Sequence, residues 1–136
     1  MALGKIKADQ LEHSTAGSVD TQFVVNGSAK SWIRFNGSGT AAIDDSLNAA
    51  SLTDHGTGQF SYSYTSSMAN ANYTISLFAR DTTYDRAQFF QSTDANAGLL
   101  STAGVGGFCS SWTGSGNWSG GTDAPRLGIT VHGDLT

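Results

Sequence analysis

Along most of this chain apolar positions alternate with polar ones at a period of two, the pattern of half-buried β-strands. The cleanest case is Phe60-Ser61-Tyr62-Ser63-Tyr64-Thr65, with three aromatics on one face and three hydroxyls on the other. In Trp32-Ile33-Arg34-Phe35, Ile33 and Phe35 share one face while Trp32 and Arg34 share the other. Asn36-Gly37-Ser38-Gly39 tolerates positive φ, so it predicts a hairpin with Thr40 to Ile43 as the returning strand. Leu47 to Thr53 reads as another short strand, stopped by Asp54-His55-Gly56. After a turn through Met68-Ala69-Asn70, Tyr73 to Leu77 alternates again. Alternation fails at Phe78, so that end of the strand is expected to be buried on both faces. Ala87 to Gln91, with Phe89 and Phe90, and Leu127 to His132 complete the strand set. No stretch holds a 3.6-residue apolar period over three turns, and Asp44 to Ala50 has room for one short helical turn at most.

The first thirty residues differ. A loosely alternating Leu3 to Leu11, a turn at Thr15-Ala16-Gly17-Ser18, and Thr21 to Val25 predict two short strands with few core residues. Such a pair is too thin to fold alone and is expected to pair with other copies of the chain. The expected organisation is an N-terminal arm over residues 1–28 and a head over 29–136. The fold class is all-β: an antiparallel β-sandwich or barrel-like head with a short N-terminal β arm, assembled as a trimer.

Composition sharpens this picture. Leu, Ile, Val and Phe make up slightly under a fifth of the 136 residues, while Gly numbers 17. A net charge of -4 and a charged fraction of 13% are too small for the composition to read as disordered. A chain this poor in large aliphatics gains from a core shared between copies, since burial yields only about 25 cal/mol per Å². The acidic balance gives no basic stripe for phosphates, so no nucleic-acid partner is expected. With no long apolar run there is neither a signal peptide nor a membrane insertion to expect, and the sequons at Asn26, Asn36, Asn72 and Asn117 read as chance.

Candidate chemistry is sparse. His13, His55 and His132 are far apart and lack zinc spacing. Asp44-Asp45 and the Asp81, Asp85 pair supply too few oxygens for a calcium loop. No serine stands in a Gly-x-Ser-x-Gly elbow, and Cys109 reads as a buried strand position. No catalytic set, metal site or cofactor is expected. One loop stands out: Trp112, Asn117, Trp118 and Asp123 lie together in a Gly/Ser-rich stretch. There an exposed indole can stack on a pyranose while amide or carboxylate holds its hydroxyls; equally, the two rings could plug the core or a seam between subunits. Tyr84, among Asp81, Asp85 and Arg86, is a second loop candidate.

Two stretches carry a family likeness. Residues 5–18, beginning Lys5-Ile6-Lys7-Ala8-Asp9-Gln10-Leu11, look like the shaft segment of many tailed-phage tail fibres. Ala29 to Thr40, Ser46 to Asp54, Gly56 to Tyr64 and Met68 to Ile75 resemble a module repeated in virion proteins of cyanophages and other marine phages. The resemblance spans roughly residues 5–80. It implies a homotrimeric virion appendage, its arm joined to other virion proteins and its head turned to the host surface. A surface glycan is the partner expected there. A capsid head fibre or decoration protein, and a free lectin-like carbohydrate-binding module, are the alternatives. The resemblance carries over no binding residue.

Overall fold

The alternating segments of the head become eight strands in two facing sheets. In the computed structural model, residues 4, 7–80, 87–90, 100–111 and 120–136 are described, 87–90 through their backbone alone. Strands β1 (Gln10–His13) and β2 (Gly17–Asp20) form a hairpin, followed by helix α1 (Thr21–Gly27). The head holds β3 (Ser31–Asn36), β4 (Ala42–Leu47), β5 (Ala49–Gly56), β6 (Gln59–Tyr64), β7 (Thr74–Arg80), β8 (Ala87–Phe90), β9 (Gly104–Ser111) and β10 (Arg126–His132). One sheet has the order β4-β3-β10-β7 and the other β5-β6-β9-β8, with every pairing antiparallel. The head is therefore an all-β sandwich with open edges and not a barrel.

Period-two patterning decides which side chains meet between the sheets. Ile33, Phe35, Leu127, Ile129 and Val131 face inward from the first sheet, and Phe60, Tyr62, Tyr64, Val105 and Cys109 from the second. Phe35 and Phe60 meet edge to face across the gap, their centroids 5.3 Å apart. Tyr62, Tyr64 and Tyr73 continue this aromatic stack toward one end of the sandwich. Aromatic area thus does the work that aliphatics do in a richer core.

The sheets are joined covalently at Asn48, the one described non-glycine residue with positive φ (54°). Its side-chain amide donates to the carbonyls of Lys30 and Ser66, and its carbonyl oxygen accepts from the Ser66 amide at 2.6 Å. Asparagine tolerates this left-handed conformation better than most residues, and here its amide also ties three chain segments together. The run predicted as one strand from Leu47 to Thr53 is thus broken by a corner. Asp44 to Ala50 holds no helical turn: apart from that corner it is strand, because its backbone pairs with β3 and β6.

Two further expectations are corrected. Thr21 to Val25 belongs to a helix, although Thr and Val favour strands. No described strand lies alongside to pair with it, and a helix satisfies its backbone internally. Both helix ends are held: Thr21 donates through backbone N–H to the Asp9 carbonyl, and the Lys30 ammonium donates to the Val25 and Ser28 carbonyls at the C-terminus. Phe78, expected to be buried on both faces, is 51% exposed on the outer face of β7. Its ring lies over Gly128, where a Cβ would come within 1.9 Å of it. Cys109, read as a buried strand position, is buried in strand β9 as expected.

Candidate functional site

Strand directions sort the connections between the two ends of the sandwich. At one end the arm enters through Ser28 to Ser31, where the Lys30 amide donates to the Val131 carbonyl and the His132 ring meets the Gly27 carbonyl at 3.2 Å. The Asn48 corner and the ends of β6 and β10 lie at this same end. The opposite end carries the Asn36 to Thr40 connection, the Gly56 to Gln59 turn and the segment 120–125. Arg80, the last residue of β7, pairs with Arg126 there, and Ala87, the first of β8, pairs with Ser111, the last of β9.

Of the sequence-predicted site residues, Trp112, Asn117, Trp118 and Tyr84 lie outside the described residues. Their described flanking residues (Arg80, Ala87, Ser111 and Gly120) all belong to the end of the sandwich away from the arm. Asp123 is described and half-buried, and its Oδ1 accepts from the Gly58 amide at 2.7 Å. Beside it, Thr122 N–H donates to the Cys109 carbonyl and Gly37 N–H to the Ala124 carbonyl, so residues 122–124 bridge the two sheets. Gly58 sits at φ +75 with its Cα against this strap, where a Cβ would lie 2.4 Å from the Cys109 oxygen. Asp123 is thus a clasp between the β5–β6 turn and the segment 120–125, a role the sequence does not signal.

The described residues offer little for catalysis. His55 Nε2 and Ser61 Oγ are 2.7 Å apart on the exposed face of the β5–β6 hairpin. A serine nucleophile also needs an acid to orient its base and donors for an oxyanion. Asp54, the carboxylate adjacent in sequence to His55, accepts from the Gly56 amide. Among the described residues no group of three His, Cys, Asp or Glu could hold a metal. No described helix is long and apolar enough to cross a membrane.

The titrating groups that depart most from ordinary values are structural. Burial pushes the Tyr62 hydroxyl up to about 12, opposed by its hydrogen bond to Ser31. Burial also drives Tyr64 upward, reinforced by its tyrosine neighbours. Among the described residues the buried Tyr64 hydroxyl has no partner within hydrogen-bond geometry. Tyr73, by contrast, bridges the Ser101 and Gly104 carbonyls at 3.0 and 3.1 Å.

The outer face of the β4-β3-β10-β7 sheet is a second surface with chemistry. Register places Arg126 directly opposite Arg80. The next outward row holds Arg34, Gly128 and Phe78, and the row after it Trp32, Thr130 and Ser76. Arg34 Nε lies 3.5 Å from Asp44 Oδ2, both side chains about half exposed. The outward orientation of Trp32 and Arg34 is legible in the sequence; their alignment with Phe78, Arg80 and Arg126 requires the strand order.

Compared with protein-family models, with curated proteins and with solved structures, the chain matches none of them.

Proposed function

We propose that this chain is a non-enzymatic structural protein of a tailed-phage virion, a tail fibre or fibre tip that assembles as a homotrimer through its arm. The observation that carries this is the arm itself. Leu11 and Val19 face each other across the β1–β2 hairpin, and Phe23, Val24 and Val25 follow in α1, all five exposed, Phe23 by 64%. No residue of β1, β2 or α1 is buried. A hairpin of two four-residue strands and a seven-residue helix cannot hold such apolar groups in water unaided. Packing arms from several copies together removes them from water and gives the helix a partner.

The placement of the ends supports an adhesive role. The arm enters at one end of the sandwich, and the described residues that flank Tyr84 and the Trp112 to Trp118 stretch, namely Arg80, Ala87, Ser111 and Gly120, lie at the other. Such a body can be anchored by its arm to other virion proteins while its far end meets a host surface.

Light scattering coupled to size-exclusion chromatography tests this. A solution mass near three times 14.1 kDa is expected. A clean monomer would overturn the trimeric appendage and favour a free carbohydrate-binding module. Labelling of purified virions with an antibody to the head then separates a tail fibre from a capsid decoration protein.

A further inference from the structure

We propose that the outer face of the β4-β3-β10-β7 sheet binds an acidic, carboxylate-bearing saccharide. For the source of that ligand, a host surface, the proposal rests on the appendage reading above.

The sequence supplies only four arginines in an acidic chain, and three of them, Arg34, Arg80 and Arg126, project from this one face. Arg80 and Arg126 are directly opposite each other across β7 and β10. That register sets their Cβ atoms about 4.5–5.5 Å apart, and like charges so placed destabilise a sheet. Neither has a carboxylate partner among the described residues, whereas Arg34 has Asp44. An anion lying over the pair converts the repulsion into attraction. Guanidinium groups suit a carboxylate in particular, because the planar fork gives two parallel N–H···O bonds.

The rest of the face supplies what a sugar ring needs. Phe78 lies across Gly128 and is half exposed, between the Arg80–Arg126 pair and the row of Trp32, Thr130 and Ser76. The glycine lets the ring sit low on the sheet, so an apolar platform is flanked by guanidinium groups on one side and hydroxyls on the other. A pyranose presents an apolar CH face and a polar rim, and an amphipathic aromatic surface of this kind can accept it. Three strands and three alternate rows span about 10 by 14 Å, room for more than one ring. Nucleic acid is the poorer fit, since the chain as a whole carries -4.

Isothermal titration of the full chain with polygalacturonate at low ionic strength, with neutral dextran as control, tests this proposal. Polygalacturonate is expected to bind and dextran not. The double variant Arg80→Gln/Arg126→Gln should weaken binding by about tenfold or more, with an unchanged circular dichroism spectrum and a melting temperature no lower than that of the parent chain. Phe78→Leu keeps Gly128 covered and all charges in place, and should weaken binding several-fold. Undiminished affinity in the double variant overturns the proposal, as do equal binding of dextran and affinity indifferent to Phe78→Leu. Loss of the oligomer in the double variant also overturns it, by making this face a contact between copies. Light scattering reports assembly and titration reports ligand, so failure of this proposal is distinguishable from failure of the trimeric reading.

Discussion

The Ser31 and Tyr62 hydroxyls meet 2.9 Å apart in the buried space between the two sheets. Ser31 Oγ also lies 3.2 and 3.3 Å from the carbonyl oxygens of Leu47 and Asn48. With Ser31 donating to one of those carbonyls, its oxygen is free to accept from Tyr62. Ser31→Ala should therefore strand the phenol and cost about 1–3 kcal/mol in urea unfolding. Adding Tyr62→Phe to Ser31→Ala should return part of that loss, because the orphaned donor is then gone. Additive losses would show that the two hydroxyls do not act as a pair.

Tyr64 is the opposite case. Its hydroxyl is buried with no partner among the described residues, so Tyr64→Phe removes a desolvated polar group and keeps the ring packed on Tyr62 and Tyr73. Stability should rise by about 1 kcal/mol, read as a higher denaturant midpoint at unchanged slope. A clear loss would mean that this oxygen is hydrogen-bonded in solution.

These tyrosines also set an alkaline limit. Burial raises Tyr62 to about 12 and raises Tyr64 as well, against an unfolded value of about 10. Above pH 10 the unfolded chain loses protons that the folded chain retains, so stability falls with rising pH. The contribution is complete below about pH 10 and is lost as pH climbs toward 12. Tyr62→Phe should flatten the decline in melting temperature over that window, and tyrosinate absorbance should rise together with unfolding. An equally steep decline in the variant would assign the limit to other groups.

At the Asn48 corner, conformation and hydrogen bonding can be separated. Asn48→Gly keeps the positive φ accessible but loses the side-chain ties to Lys30 and Ser66. Asn48→Ala loses the same bonds and adds the strain of a left-handed residue, so it should be the worse by about 1–2 kcal/mol. Equal losses in thermal unfolding would show that the hydrogen bonds alone hold the corner.

Phe23 tests the arm. Phe23→Asp places a charge among the exposed apolar groups of α1, away from the head core. The solution mass should drop to that of one chain while the head's near-ultraviolet spectrum is preserved. An unchanged oligomer would move the subunit contact off this helix.

The head was readable because its strands are half-buried and obey a strict period: Phe60 to Tyr64 shows its final burial in its own letters. The Asn48 corner was not, since nothing local in Leu47 to Thr53 reveals that the strand changes sheets there. Thr21 to Val25 misled because its β-branched residues favour a strand that no described neighbour pairs with. Phe78 misled for a related reason: whether a break in alternation means burial or exposure depends on the strand beside it, here one with Gly128. The site divides likewise. Asp123 was visible as a loop carboxylate, but its bond to Gly58 joins residues 65 apart in sequence. The approach of Arg80 to Arg126 likewise exists only through register.

How the arm enters the head has a mechanical consequence. It runs into β3, which is an interior strand, paired with β10 on one side and β4 on the other. On the proposed appendage reading, drag on a body tethered through its arm pulls β3 along its own axis, loading the rungs of both ladders in shear at once. Tension on an edge strand would instead peel those rungs one at a time. Pulled through its arm, the head is expected to resist unravelling better than its small aliphatic core would suggest.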